Sequence, residues 1–405
     1  MRLHQLSVLG FLLVATTARA QVIPGVEVLL ADSGGLVHNR RVALLTNHTG
    51  LDRAGHRDVD LLRSAGVRLV ALFSPEHGFQ GREDRPGLSD ATDSATGLPI
   101  YSLFGRSPTR ARAALDSVDV VLVDLQDIGA RYYTYAATAI TLLRWTAERG
   151  IPFVVLDRPD PEGGILVQGN VRAVPGPDSL VVGFLPVPMR HGMTLGELLR
   201  FANDTLGIHG AVTVVPARGW KRGMVYDQTG LPWIKPSPNM PSVESALHYP
   251  GTCLFEGTNL SVGRGTPYAF QVVGAPWLDP RAVLAKAREM GGGTGLRGVE
   301  LRPFTFTPHH PTDGKYAGVA LKGIRLRVTD RAQYDPTKTA VLLLAALRAA
   351  QPDSFQIRPE WFDLLAAGPE LREALGAGRA PAEIWAGWDE ALARFRAVRA
   401  KYLLY

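Results

Sequence analysis

The chain has a single cysteine, Cys253, among its 405 residues. No internal disulfide can form, so stability must come from a buried core, which a chain of this length can supply. Cysteine clusters of the zinc-holding kind are excluded with it, and no H-E-x-x-H pair takes their place. Nucleotide loops are missing too: no G-x-G-x-x-G follows the first strand and no G-x-x-x-x-G-K-[ST] occurs. Nothing in the sequence therefore calls for a cofactor. There is no G-x-S-x-G elbow, no internal repeat and no low-complexity tract. Beyond residue 20 no apolar run is long enough to cross a bilayer, so no membrane anchor is expected. The formal charge is only +6 and the basic residues are scattered singly. A nucleic-acid partner is not expected from so thin a positive field, whereas an anionic substrate is compatible with it.

What is present begins with a leader. Arg2 and His4 precede the apolar run 6–15, and Ala18-Arg19-Ala20 forms an A-x-A cleavage site before Gln21. The expectation is export to the periplasm or the exterior, with residues 1–20 removed. No cysteine lies near the cleavage site, so lipid attachment is not expected.

The mature chain reads as α/β. Apolar strands are predicted at 42–47, 67–73, 119–125 and 152–156, with a short one at 100–104. Helices are predicted between them at 58–65, 108–115 and 135–149, the last closed by Gly150. Strands that are apolar throughout and alternate with helices indicate a parallel sheet covered on both faces. Thr194 and Glu197 form a capping box for a helix over 195–205, and a strand follows at 212–215. From about His248 the pattern becomes α+β. Asp279-Pro280 opens a helix, strands are expected at 301–306 and 324–328, a helix at 337–349 and helical segments from 361 to 405. The fold expected is a Rossmann-like, mostly parallel sheet domain over 21–247, followed by a smaller α+β domain over 248–405.

Chemistry concentrates where apolar strands stop. The strand at 67–73 breaks at Ser74-Pro75 and delivers Glu76 and His77 into a loop with Gly78 and Gly81. Asn47, Asp124 with Gln126 and Asp127, and Asp157 with Arg158 end other strands, and in a parallel sheet such ends share one edge. Polar strand ends in that number suggest a cleft rather than ordinary loop composition. A second dense stretch, 249–267, packs Glu256, Asn259 and Arg264 among glycines. Between them, 220–241 is a long Pro/Gly/Trp loop. Its Trp220, Tyr226 and Trp233 could carry sugar rings or equally cover a domain junction. Carboxylates, amides and arginines around a cleft suit glycoside hydrolysis, in which a protonated carboxyl donates to the leaving oxygen.

Six motifs in order carry a family resemblance. They are Ser74-Pro75-Glu76-His77-Gly78, the segment from Gln126-Asp127 to Arg131-Tyr132-Tyr133-Thr134, Asp157-Arg158-Pro159, His191-Gly192-Met193-Thr194, Ser237-Pro238-Asn239-Met240-Pro241, and the run from Phe255-Glu256 through Asn259 to Arg264. Together they resemble the exo-β-N-acetylmuramidases of the NamZ type, over the whole mature chain. Where that family often has Asn-Gln-Thr-Gly, this chain has Asn47-His48-Thr49-Gly50. The resemblance implies release of N-acetylmuramic acid from the non-reducing end of peptidoglycan fragments, without a cofactor, in a cleft between two domains. It makes Glu76 the leading catalytic residue, here assigned as a general acid raised in pKa by partial burial, with His77 orienting it or a water. The second carboxylate is left open among Asp124, Asp127, Asp157 and Glu256, with Asp127 grouped with Glu76 and His77. Asn47, Asp124, Gln126, Arg131, Tyr133, Asp157, Arg158, Asn239, Glu256, Asn259 and Arg264 are expected to line the substrate site. An arginine among Arg131, Arg158 and Arg264 is expected to hold the lactyl carboxylate. Two other readings fit the same residues: a metal-dependent amide hydrolase using His77, Asp124 and Asp127, and a wall-glycan-binding protein without turnover.

Overall fold

The structure is a computed structural model that describes residues 21–85, 87–104, 109–173, 182–291 and 293–405. The expected leader lies outside the described residues, as do Pro108, at the start of the helix predicted at 108–115, and Val181, at the start of a segment 181–188 that the sequence suggests is extended. No helix among the described residues is long and apolar enough to cross a membrane.

The first half alternates as predicted. Strands β1 (Arg41–Thr46), β2 (Arg68–Ser74), β3 (Ala91–Thr92), β4 (Pro99–Ser102), β5 (Val120–Asp124) and β6 (Phe153–Leu156) are followed by a small antiparallel pair, β7 (Gln168–Val171) and β8 (Pro188–Arg190), and by β9 (Val212–Val215). The helices of this half are α1 (Gly25–Asp32), α2 (Asp58–Ser64), α3 (Thr109–Ala114), α4 (Thr134–Ala147) and α5 (Leu195–Thr205). One sheet takes the order β3-β4-β2-β1-β5-β6-β9, parallel except for the short edge strand β3. Side chains along a strand alternate between faces, and two cores follow from that period. Val42, Leu44, Val120 and Leu122 pack with Leu29 of α1 and Leu62 of α2. Ala43, Leu45, Val121 and Val123 face the other way, with Ile140 of α4 and Leu198 of α5.

The second half holds α6 (Val243–Thr252), β10 (Val272–Ala275), α7 (Pro280–Gly291), β11 (Val299–Phe306), β12 (Leu321–Val328) and α8 (Pro336–Ala350). Four short helices follow: α9 (Pro359–Ala366), α10 (Glu370–Gly376), α11 (Pro381–Ala386) and α12 (Asp389–Arg399). Its sheet is antiparallel, in the order β10-β12-β11. The boundary expected at 248 falls inside α6, which packs on α8 and β12 and also on β8. One apolar cluster runs through both halves, from Val121 and Tyr132 to Phe255 and Leu342. The halves are therefore joined by shared core rather than by a flexible linker. Helices α1 and α6 and strands β3, β7, β8 and β10 were not anticipated. Pro250 and Gly251 in α6 carry strong breaker signals, and buried packing overrides them here.

Candidate active site

The parallel strands reverse their order between β1 and β5, and crevices outside strand ends form at such points. Here that crevice is filled by the protein itself. Asp124 ends β5 and is wholly buried in a bidentate pair with the Arg158 guanidinium, whose Nη2 also donates to the Leu51 carbonyl at 2.9 Å. Asn47 accepts from the amide and hydroxyl of Thr49 and donates to the Tyr135 hydroxyl at 3.0 Å. Gln126 donates to the carbonyls of Asp127 and Pro159. Asp157 accepts from Thr194 Oγ1, from the Gly196 amide at the start of α5 and from the Tyr405 hydroxyl. Burial raises its pKa to about 6.

These placements correct the expectation that the polar strand ends line a cleft. A carboxylate or amide at a buried strand end must find partners or pay its desolvation, and neighbouring loops supply them. Arg131 belongs with this group: its guanidinium donates to the carbonyls of Asn170, Val187 and Leu365, tying the first half to α9. Asn259 pairs with Ser354 and Gln356 within the second half. Trp220 packs edge-on against Tyr405 and Tyr226 against Trp233, so the long loop is a cover and not a sugar platform. Tyr133 is buried edge-on between Tyr135 and Tyr249.

Asp127 is also inside. Its Oδ1 accepts from the Gly129 amide at 2.9 Å, and its Oδ2 is buried without a partner among the described residues. Burial raises its pKa to about 7, against the opposing amides of Gly129, Ile128 and Ala136. The folded state thus holds a proton that the unfolded chain releases near pH 4. Its stabilising contribution is complete below that value and lost as pH rises through about 7. The melting temperature of the wild type should therefore fall more steeply between pH 4 and pH 8 than that of Asp127→Asn, which cannot titrate. Parallel curves for the two proteins would refute the buried-acid assignment.

One polar strand end does open outward. After Ser74 the chain turns at Pro75 to Gly78, and His77 takes the left-handed conformation, with φ 69°. A β-carbon is strained there, and such outliers persist where surrounding structure over-determines them, commonly at functional sites. Gly81 lies so close to the His48 ring that an added β-carbon would fall 1.8 Å from it, which packs the loop onto the segment after β1. The loop is held from four sides. Thr134, the first residue of α4, donates to Glu76 Oε2 at 2.5 Å and leaves Oε1 for a ligand. His77 Nδ1 donates to the Glu83 carbonyl at 2.7 Å, because a carbonyl can only accept. Asp84 lies 3.6 Å from the same nitrogen. Its Oδ2 accepts from Asn239 Nδ2 at 2.7 Å and from Arg264 Nη1 at 3.4 Å.

Asp84 was not singled out in the sequence, where it stands among Arg82, Glu83 and Arg85 like one charge of a solvated run. In the fold it joins the two halves: it meets Asn239 of the long loop and Arg264 of the second half. Arg264 in turn binds Glu256 through Nε at 2.6 Å. Of the expected site residues, Glu76, His77, Asn239, Glu256 and Arg264 are therefore brought together, and Asp84 and Thr134 are added. A cavity of about 540 Å³ opens beside His77 and Glu83, and another of about 500 Å³ beside Asp84, Glu256 and Arg264.

Glu76, His77 and Asp84 each present one donor atom within 4.8 Å of the others, the only such cluster among the described residues. The trio His77, Asp124 and Asp127 expected for a metal hydrolase is not assembled, because Asp124 is spent on Arg158. Arg264 already places a cation against Asp84. Two carboxylates a few ångströms apart, one of them flanked by an arginine and a cavity, are the arrangement by which glycosidic bonds are broken.

A parallel-sheet domain that carries such a pair against the wall of a second α+β unit defines a glycoside hydrolase of two-part architecture. The chain belongs to the NamZ family of exo-β-N-acetylmuramidases. Residues 42–244 match the family's N-terminal domain and residues 247–405 its C-terminal domain. It is 36% identical over 394 residues to the peptidoglycan β-N-acetylmuramidase NamZ of Bacillus subtilis strain 168, covering 96% of this chain and 93% of that protein. A crystal structure of a DUF1343 family protein from Bacteroides fragilis superposes with a TM-score of 0.85 at 32% identity, covering 96% of this chain and all of that one. A second DUF1343 protein from the same organism gives 0.74 at 31% identity, over 95% of this chain and 99% of its own.

Proposed function

We propose that this protein is an exported, exo-acting glycosidase that releases N-acetylmuramic acid from the non-reducing end of peptidoglycan fragments during wall turnover. The observation that carries the reading is the Glu76–Asp84 pair, with carboxyl oxygens within 4.8 Å, of which Asp84 lines a cavity that Arg264 also walls. Glu76, with one oxygen held by Thr134 and the other open, is the proton donor to the leaving oxygen. Asp84, faced by Asn239 and Arg264, is the carboxylate that meets the positive charge developing on the sugar. His77 holds the loop between them through the Glu83 carbonyl. The leader at 1–20 supports export, and appearance of the mature protein in the cytosolic fraction would contradict it.

The test is turnover of a chromogenic N-acetyl-β-muramide beside the matching glucosaminide. The two sugars differ by the lactyl ether alone. A site built around that group should favour the muramide by at least about 10²-fold in kcat/KM. Comparable rates on both sugars would refute the muramic acid assignment. Binding of the muramide without turnover would favour a glycan-binding protein.

A further inference from the structure

Muramic acid differs from glucosamine by a lactyl ether that carries a carboxylate, and a cation with no other partner is the group best suited to read it. The three arginines expected for that task do not meet the condition. Arg131 is spent on backbone carbonyls and Arg158 on Asp124. Arg264 is shared between Glu256 and Asp84. Lys315 lies in the same cavity as Arg264, but its ammonium donates to the carbonyls of Glu256, Thr258 and Leu260 at 2.9–3.1 Å. It is a clamp on that loop.

One cation in this cavity remains. Arg358 lines it together with Asp84 and Arg264, is exposed, and has no hydrogen bond or ion pair from its guanidinium among the described residues. Its backbone is not loose: the Arg358 amide donates to the Gly257 carbonyl at 2.7 Å, one residue from Glu256. Pro359 then starts α9 with its φ already set for the helix. Three residues on, and so on the same side of the helix, Trp361 lines the cavity at 42% exposure. An indole left in water costs free energy unless something covers it, and a sugar ring or a methyl group can do so.

We propose that Arg358 and Trp361 form the site that recognises the lactyl ether of muramic acid, Arg358 taking its carboxylate as a planar fork and Trp361 covering the apolar face beside it. This inference rests on the muramidase reading above and adds to it the residues that select the sugar. The cavity explains the division of labour. The three donors of Lys315 are taken by carbonyls, and the charge of Arg264 is already met by Glu256 and Asp84. At Arg358 a substrate carboxylate displaces only water. Arg358 and Arg264 also both oppose the charge on Lys315, which a bound anion would relieve.

The experiment uses the full-length mature protein and three substrates: the chromogenic muramide, its lactyl amide and the glucosaminide. Arg358→Gln should lower kcat/KM on the muramide about 10- to 100-fold, the scale of one charge-assisted hydrogen bond, lower the neutral amide far less, since its carbonyl accepts only an uncharged bond, and leave the melting temperature unchanged. Trp361→Ala should lower the muramide and its amide by the same factor, because an apolar face does not read charge. Arg358→Lys should recover part of the loss, as a cation without the fork. If the wild type cleaves the muramide selectively and Arg358→Gln does so equally well, or loses charged and neutral substrates alike, this assignment is overturned while the muramidase reading stands. If the wild type cleaves neither sugar, both fall together.

Discussion

Glu76→Gln should fold with an unchanged melting temperature and lose about 10²- to 10⁴-fold in kcat, the range expected for removing a general acid. The substitution is nearly isosteric. Its amide can still accept from Thr134 at the first turn of α4, so the loop geometry should survive. What disappears is a transferable proton at the end of β2. The loss in kcat/KM should shrink on a substrate whose leaving group is a good anion, such as a dinitrophenolate, because such a group departs without protonation. A Gln variant with near-normal kcat on a poor leaving group would end the assignment. So would a variant whose kcat/KM is equally depressed on good and poor leaving groups, since kcat/KM reports departure of the leaving group, whereas kcat also carries the water attack that the same residue assists as a base.

Asp84→Asn should be of comparable severity, at about 10²- to 10³-fold in kcat, the scale seen when one preorganised electrostatic contact to a transition state is removed. Asn retains an acceptor for Asn239 and Arg264 but not the negative charge. The alternative is that Asp84 only ties the long loop to Arg264. Arg264→Ala would then reproduce its effect, and both variants would melt lower. If Asp84 meets the substrate, Asp84→Asn should lose kcat without losing stability. The carboxyl oxygens of Glu76 and Asp84 lie within 4.8 Å, and close pairs of about 5 Å belong to retaining glycosidases. The first product formed by the wild type should accordingly be the β anomer, observable by proton NMR before mutarotation. An α product formed first would remove Asp84 from the role of the second carboxylate.

Much of the fold was legible in the sequence because buried parallel strands leave a plain signature. Runs such as Val120 to Val123 are apolar at every position, since both faces are covered, and their helices carry local caps such as Thr194 with Glu197. The Glu76–His77 loop was legible for a related reason. A proline and two glycines interrupt a strand just where two ionisable side chains follow, and no packing pattern accounts for them.

The site as a whole was less legible. Asn47, Asp124, Asp157 and Arg158 have the residue types and strand-end positions of active-site groups, yet they satisfy one another or nearby loops. Sequence shows that a polar group stands at a buried edge, but not whether its partner is protein or substrate. Asp84 presented the opposite problem. Its neighbours in the chain are charged and exposed, and its importance lies in Asn239, 155 residues away, and Arg264, 180 residues away. Arg358 and Trp361 had no motif at all, only a proline that opens a helix.

By itself, then, the sequence determined the alternation of strands and helices, the apolar faces of both cores and the loop that carries Glu76, because these follow from periodicity and local backbone chemistry. Tertiary structure alone decided which ionisable groups are spent inside the protein and which face a cavity. That choice depends on partners brought together from distant parts of the chain: a buried carboxylate such as Asp124 must be neutralised where it lies, whereas Asp84 and Arg358 sit where the two halves meet and a substrate can reach them.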